Sequence, residues 1–479
     1  MKKTEDRKQK TENSRLLFSY PVLCCACLLL IQAGCTVGPD YKPQDANTPA
    51  KWVGTKNAAS PDTTLLKWWT EFNDANLTSL IERAMKSNLD IKMAEEKIRQ
   101  ARATGGATTA GFWPTADVTG SATRNRNSAG MKSNLFQAGF DAAWELDIFG
   151  GTRRSIEAAE ADINASIEDR RDVMVTLVSE VATNYVQLRG YQQEIIIAQN
   201  NLRAQQQNAE VVRKRYEGGF VSALDVANAD ALVASTMAQI PLLESSSQQT
   251  IYSISVLLGQ EPASLLEELS PASSIPLTPP EVPAGLPSDM LRRRPDIRRA
   301  EADIHSATAQ IGVATADLFP KFNLTGAINM QASNLDKLRW DQRSSSFGPS
   351  ASWQIFNAGQ VSYNIKAQKS LREQAVITYK KTVLTAIQEV ENTLIAYTKE
   401  QEHHKALIAS AAANRKAVEL STQLYVEGQT DFISVLDAQR SLYSAEDSLV
   451  QSDRTLSTDL IALYKALGGG WDSQSPGGD

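Results

Sequence analysis

The amino-acid sequence predicts an α+β membrane protein in which one unit occurs twice. Each unit consists of a helix, two strands, a very long helix and a returning helix. Residues 360–427 contain neither proline nor glycine, so a continuous helix there would be about 100 Å long at roughly 1.5 Å per residue. A second proline-free stretch with the same apolar pattern lies 209 positions earlier, which indicates an internal repeat.

The two long helices carry apolar residues at alternating spacings of three and four. Such a stripe is typical of a coiled-coil seam. We therefore expect each long helix to lie against other helices, and the seams to be completed by neighbouring chains. The matching seam positions are Met174, Val178, Val181, Tyr185 and Leu188 in the first helix, and Val383, Ile387, Val390, Leu394 and Tyr397 in the second.

The N-terminus has the pattern of a bacterial export signal. A charged start and an apolar run of 16 residues end at Ala33-Gly34-Cys35, which resembles the lipobox of lipoproteins although Gln32 replaces the usual leucine. A membrane anchor is the alternative, but 16 residues are few for a spanning helix. We predict lipidation of Cys35, and Thr36 after it favours sorting to the outer membrane. All four cysteines precede Thr36, so the rest of the chain has no disulfide framework.

We divide the chain into six segments. Composition sets the leader and linker apart, since both are rich in proline, and the matched motifs set the bounds of the two repeats. The segments are 1–34 signal peptide, 35–73 lipid-anchored N-terminal leader, 74–270 repeat one, 271–290 Pro-rich linker, 291–468 repeat two and 469–479 flexible C-terminal tail.

Alternating apolar and polar residues predict two strands in each repeat. They cover residues 115–123 and 136–146 in the first repeat and two stretches around 322–330 and 347–355 in the second. Strands of this length suit a tilted membrane span, and an ordinary half-buried hairpin is the alternative. The candidates for facing lipid are Phe136, Phe140, Trp144, Phe322, Leu324 and Trp353.

Four strands are too few to close a barrel in a membrane, where about eight are needed. An open strand edge in lipid would leave backbone groups unpaired, at several kcal/mol each. If the strands enter a membrane, several chains must share one barrel. Three chains would give twelve strands, which is an even number in the observed range.

Several motifs together resemble the TolC-like outer membrane efflux factors, in their NodT-type lipoprotein branch. The motifs are Cys35–Tyr41 (CTVGPDY), Ser222–Asp225 (SALD), Leu291–Ile297 (LRRRPDI), Ile311–Ala314 with Phe319-Pro320, and Val435–Leu442 (VLDAQRSL). The resemblance implies a homotrimer with a twelve-stranded barrel in the outer membrane and a helical tunnel through the periplasm. It also implies docking to a periplasmic adaptor (membrane fusion) protein and to an inner-membrane pump, commonly of the RND class.

In such a channel the two turns between long and returning helices would form the periplasmic tip. The residues that we single out there are Tyr216, Asp225, Tyr425 and Asp431. An aspartate at the tip attracts cations and takes part in holding the channel closed. The alternative for Asp431 is that it only caps the last helix. The alternative for Asp225 is that it stabilises its turn or packs between helices.

Other functional classes find little support in the sequence. A net charge of -6 gives no reason to expect nucleic acid as a partner. His403 and His404 are adjacent and point about 100° apart on a helix, so they do not have metal-ligand spacing. We predict no enzyme, no metal and no cofactor, but a passive exit duct for drugs or metal ions. The alternatives are a periplasmic coiled-coil scaffold and the duct of a type I protein secretion system.

Overall fold

The computed structural model describes residues 36–44, 49, 52–53, 65–126, 128–276 and 293–471. The predicted signal peptide and Cys35 lie outside the described residues, as do most of the predicted linker and residues 472–479 of the predicted tail. The chain forms two compact units. Unit 1 combines Met1–Gln44, Ile98–Ser166 and Ala300–Tyr379, and unit 2 combines Asp45–Lys97, Ile167–Arg299 and Lys380–Asp479. Each unit therefore contains segments from both repeats.

Helices and strands follow the predicted order in both halves. The first half contains α1 (Ala75–Ser87), α2 (Leu89–Ala110), β1 (Thr115–Arg126), β2 (Lys132–Leu146), α3 (Gly151–Glu217), α4 (Ala223–Leu257) and the single turn α5 (Leu266–Leu269). The second half contains α6 (Pro295–Ala316), β3 (Lys321–Ala332), β4 (Arg343–Ser352), α7 (Gln360–Val426) and α8 (Phe432–Ala466).

The lengths of these elements confirm the predicted internal repeat. Both long helices have 67 residues and both returning helices have 35. The helices before the strands, α2 and α6, have 22 residues each, and β1 and β3 have 12 each. Every boundary of α7 and α8 lies 209 positions after its counterpart in α3 and α4, so the helical pairs of the two halves match residue for residue.

Glycine and side-chain caps set the ends of the long helices. Gly219 and Gly428, just after α3 and α7, both have a φ of 75°, which a residue with a side chain rarely adopts. The returning helix α4 begins after Ser222, and Ser222 and Asp225 form a reciprocal capping box. Helix α8 begins after Asp431, whose carboxylate accepts from the Ser434 backbone N–H.

The predicted seams are buried, although not in the way that we expected. All five positions from Met174 to Leu188 are buried, and so are Val383, Val390 and Leu394. Ile387 is only half-buried, because Ala386 takes the core position beside it. The expectation that neighbouring chains complete the seams was wrong, since these residues are already buried within the single chain.

Gly190, in the interior of the first long helix, lies in unit 2 and is required by a close contact there. A Cβ atom on Gly190 would lie 2.9 Å from Cδ of Arg454, so the stem of this arginine crosses α3 where no side chain stands. The Arg454 guanidinium then reaches the buried Glu194 at 3.4 Å and lies over the ring of Tyr191. Glycine in a helix interior destabilises the helix by about 1 kcal/mol relative to alanine. The contacts that Arg454 makes across this position offset that cost.

Unit 1 contains a four-stranded antiparallel sheet in the order β1-β2-β3-β4. The central pairing joins the two halves of the chain, with Phe136 opposite Ala332 and Leu146 opposite Phe322. The fourth strand ends at Ser352, so Trp353 lies one residue beyond it, contrary to the predicted strand. The Trp353 indole N–H instead donates to the Leu318 carbonyl at 3.1 Å.

Among the described helices, α4 is long and apolar enough to cross a membrane by length and composition alone. Core helices of soluble proteins pass the same criterion, so this result does not by itself indicate a membrane-spanning helix.

Candidate functional site

One face of the sheet is apolar and exposed. The strand register places Val118, Phe140 and Ile328 side by side on this face, and it pairs Trp144 with Leu324. Val118 is 77% exposed, Phe140 54% and Phe347 78%. A contiguous apolar surface of this kind is unusual on a soluble monomer and is typical of a surface that contacts a membrane or another protein.

Five of the six predicted lipid-facing residues lie on this apolar face. They share the face because they occupy even-numbered positions of β2 and the positions opposite them on β3. Phe140 is exposed and the other four are half-buried by their neighbours in the sheet. The sixth residue, Trp353, is exposed but lies outside the strand.

The opposite face of the sheet is polar. The Thr119 hydroxyl donates to the Asp141 carboxylate at 2.9 Å, and Ser121 contacts Gln137 at 3.3 Å. Asp117 lies directly opposite Asp141 in the register. Two like charges in a cross-strand pair are destabilising unless water screens them, so this face is suited to water and not to a packed core.

The outer strands β1 and β4 each have a neighbour on one side only within the described chain. Their outward backbone N–H and C=O groups therefore need partners. In water they bind solvent, but in lipid each unpaired group costs several kcal/mol. Within a membrane this sheet can be stable only if further strands pair with both edges.

In unit 2, the turns after α3 and α7 are joined by Arg215. Its guanidinium donates to the carbonyl oxygens of Tyr425 and Val426, both at 2.9 Å. The same guanidinium lies 4.4 Å from the centre of the Tyr425 ring, which adds a cation–π contact. We call this set of contacts the turn clamp. It connects the end of one long helix to the end of the other.

Beneath the turn clamp lies a small apolar core. Tyr425 is 5% exposed, and its ring packs at 5.3 Å against Phe432. The Tyr425 hydroxyl is buried without a hydrogen-bond partner among the described residues. The core draws on all four helices that meet at the turns: Ala209, Val212, Ala229, Leu232, Tyr425, Phe432, Val435 and Leu436.

The other predicted tip residues have different surroundings. Asp431 is exposed and caps α8, and its hydrogen bonds from the Ser434 hydroxyl and backbone N–H lower the pKa of its carboxyl. Asp225 accepts from the Ser222 backbone N–H at 2.9 Å in its capping box. Tyr216 is half-exposed. Both aspartates thus form helix-capping hydrogen bonds. Of the four residues predicted at the tip, Tyr425 is the one that lies in the core of the turns.

Sequence reasoning missed Arg215, which carries the turn clamp. The internal repeat held a signal that could have found it. The position equivalent to Arg215 in the second half is Leu424, so only one of the two turns has a cation at this position. Its contacts lie about 210 residues away in sequence, which no local pattern indicates.

Comparisons with known proteins agree with this geometry. The model of the family "Outer membrane efflux protein" matches residues 80–260 and 286–469. The chain is 32% identical over 455 residues to Nodulation protein T of Rhizobium leguminosarum bv. trifolii, covering 94% of this chain and 97% of that protein. It is also 32% identical over 470 residues to the pyoverdine export outer membrane protein OpmQ of Pseudomonas aeruginosa, covering 95% of this chain and 98% of that protein.

Solved structures give the same result for the fold. A structure of the outer-membrane channel OprN is similar with a TM-score of 0.85 and 35% identity, covering 91% of this chain and all of that one. A structure of CusC is similar with a TM-score of 0.83 and 29% identity over the same share of this chain. The chain therefore belongs to the outer membrane efflux protein family and is not an enzyme but the outer membrane channel of a tripartite efflux system.

Proposed function

We propose that three copies of this chain close one twelve-stranded barrel in the outer membrane, through which small molecules leave the cell. The open edges of the sheet support this proposal most directly. The exposed apolar face around Phe140 suits lipid, and the polar face around Asp141 suits a water-filled lumen. Joining β4 of one copy to β1 of the next would pair every edge.

The long helix α7 offers a second contact surface for other copies. Leu384, Ile395 and Leu420 are exposed, and at 100° per residue they project from nearly the same side of the helix. The buried seam of α7 is already satisfied within the chain, so this exposed stripe is left for another copy.

Oligomeric state tests this proposal. Native mass spectrometry of the channel extracted from outer membranes should give the mass of three mature chains. The variant Leu384→Glu should weaken that assembly, whereas Ala396→Glu, at an exposed position about 120° around the same helix from Leu384, should leave it intact. A folded, membrane-extracted monomer that retains its sheet would refute the closure of a shared barrel.

We assign the lipid anchor to Cys35. The resemblance of Ala33-Gly34-Cys35 to a lipobox supports this assignment. The variant Cys35→Ser should abolish labelling of the protein with radioactive palmitate, and Cys27→Ser serves as the control that retains it. Persistent labelling of Cys35→Ser would place the anchor elsewhere.

The transported molecules are, in this proposal, small organic compounds driven by an RND-type pump through a periplasmic adaptor. The names of relatives support this class, since they describe pyoverdine export, solvent efflux, toluene efflux and antibiotic efflux. Expression of the chain with its neighbouring pump and adaptor genes, in a strain that lacks such channels, should lower the accumulation of a fluorescent dye. Export of a protein substrate instead would favour a type I secretion duct.

We further propose that the helix turns form the periplasmic gate of the channel. The turn clamp supports this role, because it joins the two turns of one chain by few and partly exposed contacts. Such contacts are strong enough to hold a closed state and weak enough for a docking partner to replace. In this proposal Asp431 adds an exposed negative charge at the entrance.

A further inference from the structure

The short segment Thr36–Tyr41, which we call the strap, is held tightly against unit 1. The Val37 backbone N–H donates to the Phe149 carbonyl at 3.1 Å. On its other side, Nε of Arg154 donates to the Val37 carbonyl at 3.2 Å. The backbone of the strap is thus tied to the junction between β2 and α3.

Arg154 is the centre of these contacts. Its side chain is buried, and its guanidinium contacts Asp40 at 2.6 Å and Glu157 at 2.7 Å. Burial of a cation is costly unless hydrogen bonds and opposite charges surround it. Here the carbonyl and carboxylate from the strap supply two of the three partners, so Arg154 and the strap depend on each other.

The last residue of the strap has contacts of its own. The Tyr41 ring stacks on His305 with 4.4 Å between ring centres, and its hydroxyl donates to Glu301 at 2.9 Å. His305 also contacts Glu157 at 3.0 Å, and Glu157 is a partner of Arg154. Both ends of the strap are therefore connected through one group of side chains on α3 and α6.

Glycines make room for this close approach. A Cβ atom on Gly38 would lie 2.5 Å from Cα of Gly312, and one on Gly312 would lie 2.7 Å from Cγ of Arg154. A Cβ atom on Gly150 would lie 2.6 Å from the Thr36 side chain. Contacts this short do not occur for real Cβ atoms, so the strap fits only because these positions lack side chains.

Aromatic residues gather at the end of the sheet where the strap is attached. The Trp144 indole N–H donates to the Phe112 carbonyl at 3.0 Å, just before β1 begins. Trp113 is 65% exposed and Phe356, after β4, is 86% exposed. Exposed tryptophan rings at one end of membrane strands are typical of the lipid headgroup layer, where an apolar ring and a polar N–H are both accommodated.

We propose that this end of the sheet lies at the level of the lipid headgroups, and that the strap holds the lipid-bearing residue 35 there, with Arg154 as the positioning residue. The proposal rests on the proposed anchoring at Cys35. Thr36, the residue that follows Cys35 in the sequence, lies against Gly150 at this end of the sheet. The anchor and the aromatic residues then fix one and the same membrane boundary.

Spin labels on the lipidated channel in liposomes test the proposal. A label at Lys42→Cys reports on the strap, and one at Trp113→Cys reports on the depth of the sheet end. We expect both to lie at headgroup depth, and the label at residue 42 to be immobilised. Gly312→Ala should release the strap although alanine favours the helix. Gly106→Ala, a helical glycine of unit 1 with open space around it, is the matched control.

The expected result is loss of the immobilised spectrum at residue 42 in Gly312→Ala and in Arg154→Ala, with no change in Gly106→Ala. The depth of the label at residue 113 should stay the same in all of them, which excludes general unfolding. A mobile label at residue 42 in the unaltered chain, or one in bulk water, would overturn the proposal. Mass spectrometry of the N-terminus separates the two ideas, because an N-terminus without acyl chains refutes the anchoring at Cys35 itself.

Discussion

Removal of the Arg215 side chain should loosen the two helix turns. In Arg215→Ala the carbonyls of Tyr425 and Val426 each lose a charged donor at 2.9 Å, and the Tyr425 ring loses its cation. The hydrogen bond to Tyr425 is partly buried and the one to Val426 is exposed. We therefore expect loss of the first hydrogen bond to cost about 2 kcal/mol of stabilising free energy. Loss of the second should cost about 0.5 kcal/mol, and loss of the cation–π contact about 0.5 kcal/mol.

These contributions amount to about 3 kcal/mol, or about a hundredfold change in the equilibrium between joined and separated turns. Arg213 provides a matched control on the same helix. Its ion pair with Asp230, at 2.6 Å, is half-exposed on both sides, so Arg213→Ala should cost only about 0.5 kcal/mol, or about twofold.

Hydrogen exchange of the purified channel measures this difference. Backbone amides of residues 216–222 and 427–431 should exchange about a hundred times faster in Arg215→Ala than in the unaltered chain, and about twice as fast in Arg213→Ala. In planar bilayers the open probability of Arg215→Ala should rise in parallel. Equal exchange and equal conductance in the two variants would refute the role of Arg215 in joining the turns.

Four further changes have defined outcomes. Phe140→Arg should cost about 2–4 kcal/mol if the residue lies at the middle of the bilayer, and a normal yield of assembled channel would contradict a lipid-facing position. Asp431→Asn should reduce the cation preference of the channel in planar bilayers; an unchanged preference would leave Asp431 as a helix cap. Tyr425→Phe removes a hydroxyl without a described partner, so the melting temperature should stay the same or rise, and a fall would indicate a partner for it. Burial and the neighbouring Glu400 raise the pKa of Asp459 from 3.8 to about 6, so the folded chain holds this proton more tightly than the unfolded chain does. The stabilisation from protonation is complete below about pH 4 and is lost as the pH rises through about 6. The folded state of Asp459→Asn should therefore be about 1 kcal/mol more stable than that of the unaltered chain at neutral pH, after allowance for solvent screening, and equally stable below pH 4. Thermal melting in detergent measures this difference.

Local patterns predicted the helices and most of the strands. Proline is absent from both long helices for a physical reason, because it would remove a backbone hydrogen bond, and so the bounds of α3 and α7 were predicted to within one residue. Asp431, considered as a helix cap in the sequence, does mark the start of the returning helix α8. Alternation identified β2 and β3, where large apolar residues stand on one face.

Contacts between distant residues were not predictable from the sequence. In β4 the alternation is weak, because Ser344, Ser346 and Ser350 occupy one face and the other face has few large residues. The predicted strand therefore ran past Ser352 to Ile355. The turn clamp of Arg215 and the crossing of Gly312 by Arg154 join residues that no periodic pattern relates. Periodicity indicates which side of a helix is buried, but it does not indicate which residue covers it.

The pairing of β2 with β3 has a consequence for how the chain matures. The two strands come from different halves, since Phe136 is opposite Ala332, so the sheet cannot be finished until the second half has crossed the inner membrane. During export the hairpin of β1 and β2 therefore has an unpaired β2 edge and an exposed apolar face, and such a state is prone to aggregate. A periplasmic holding factor, or slow emergence of the chain, would protect this hairpin until its partner strand arrives.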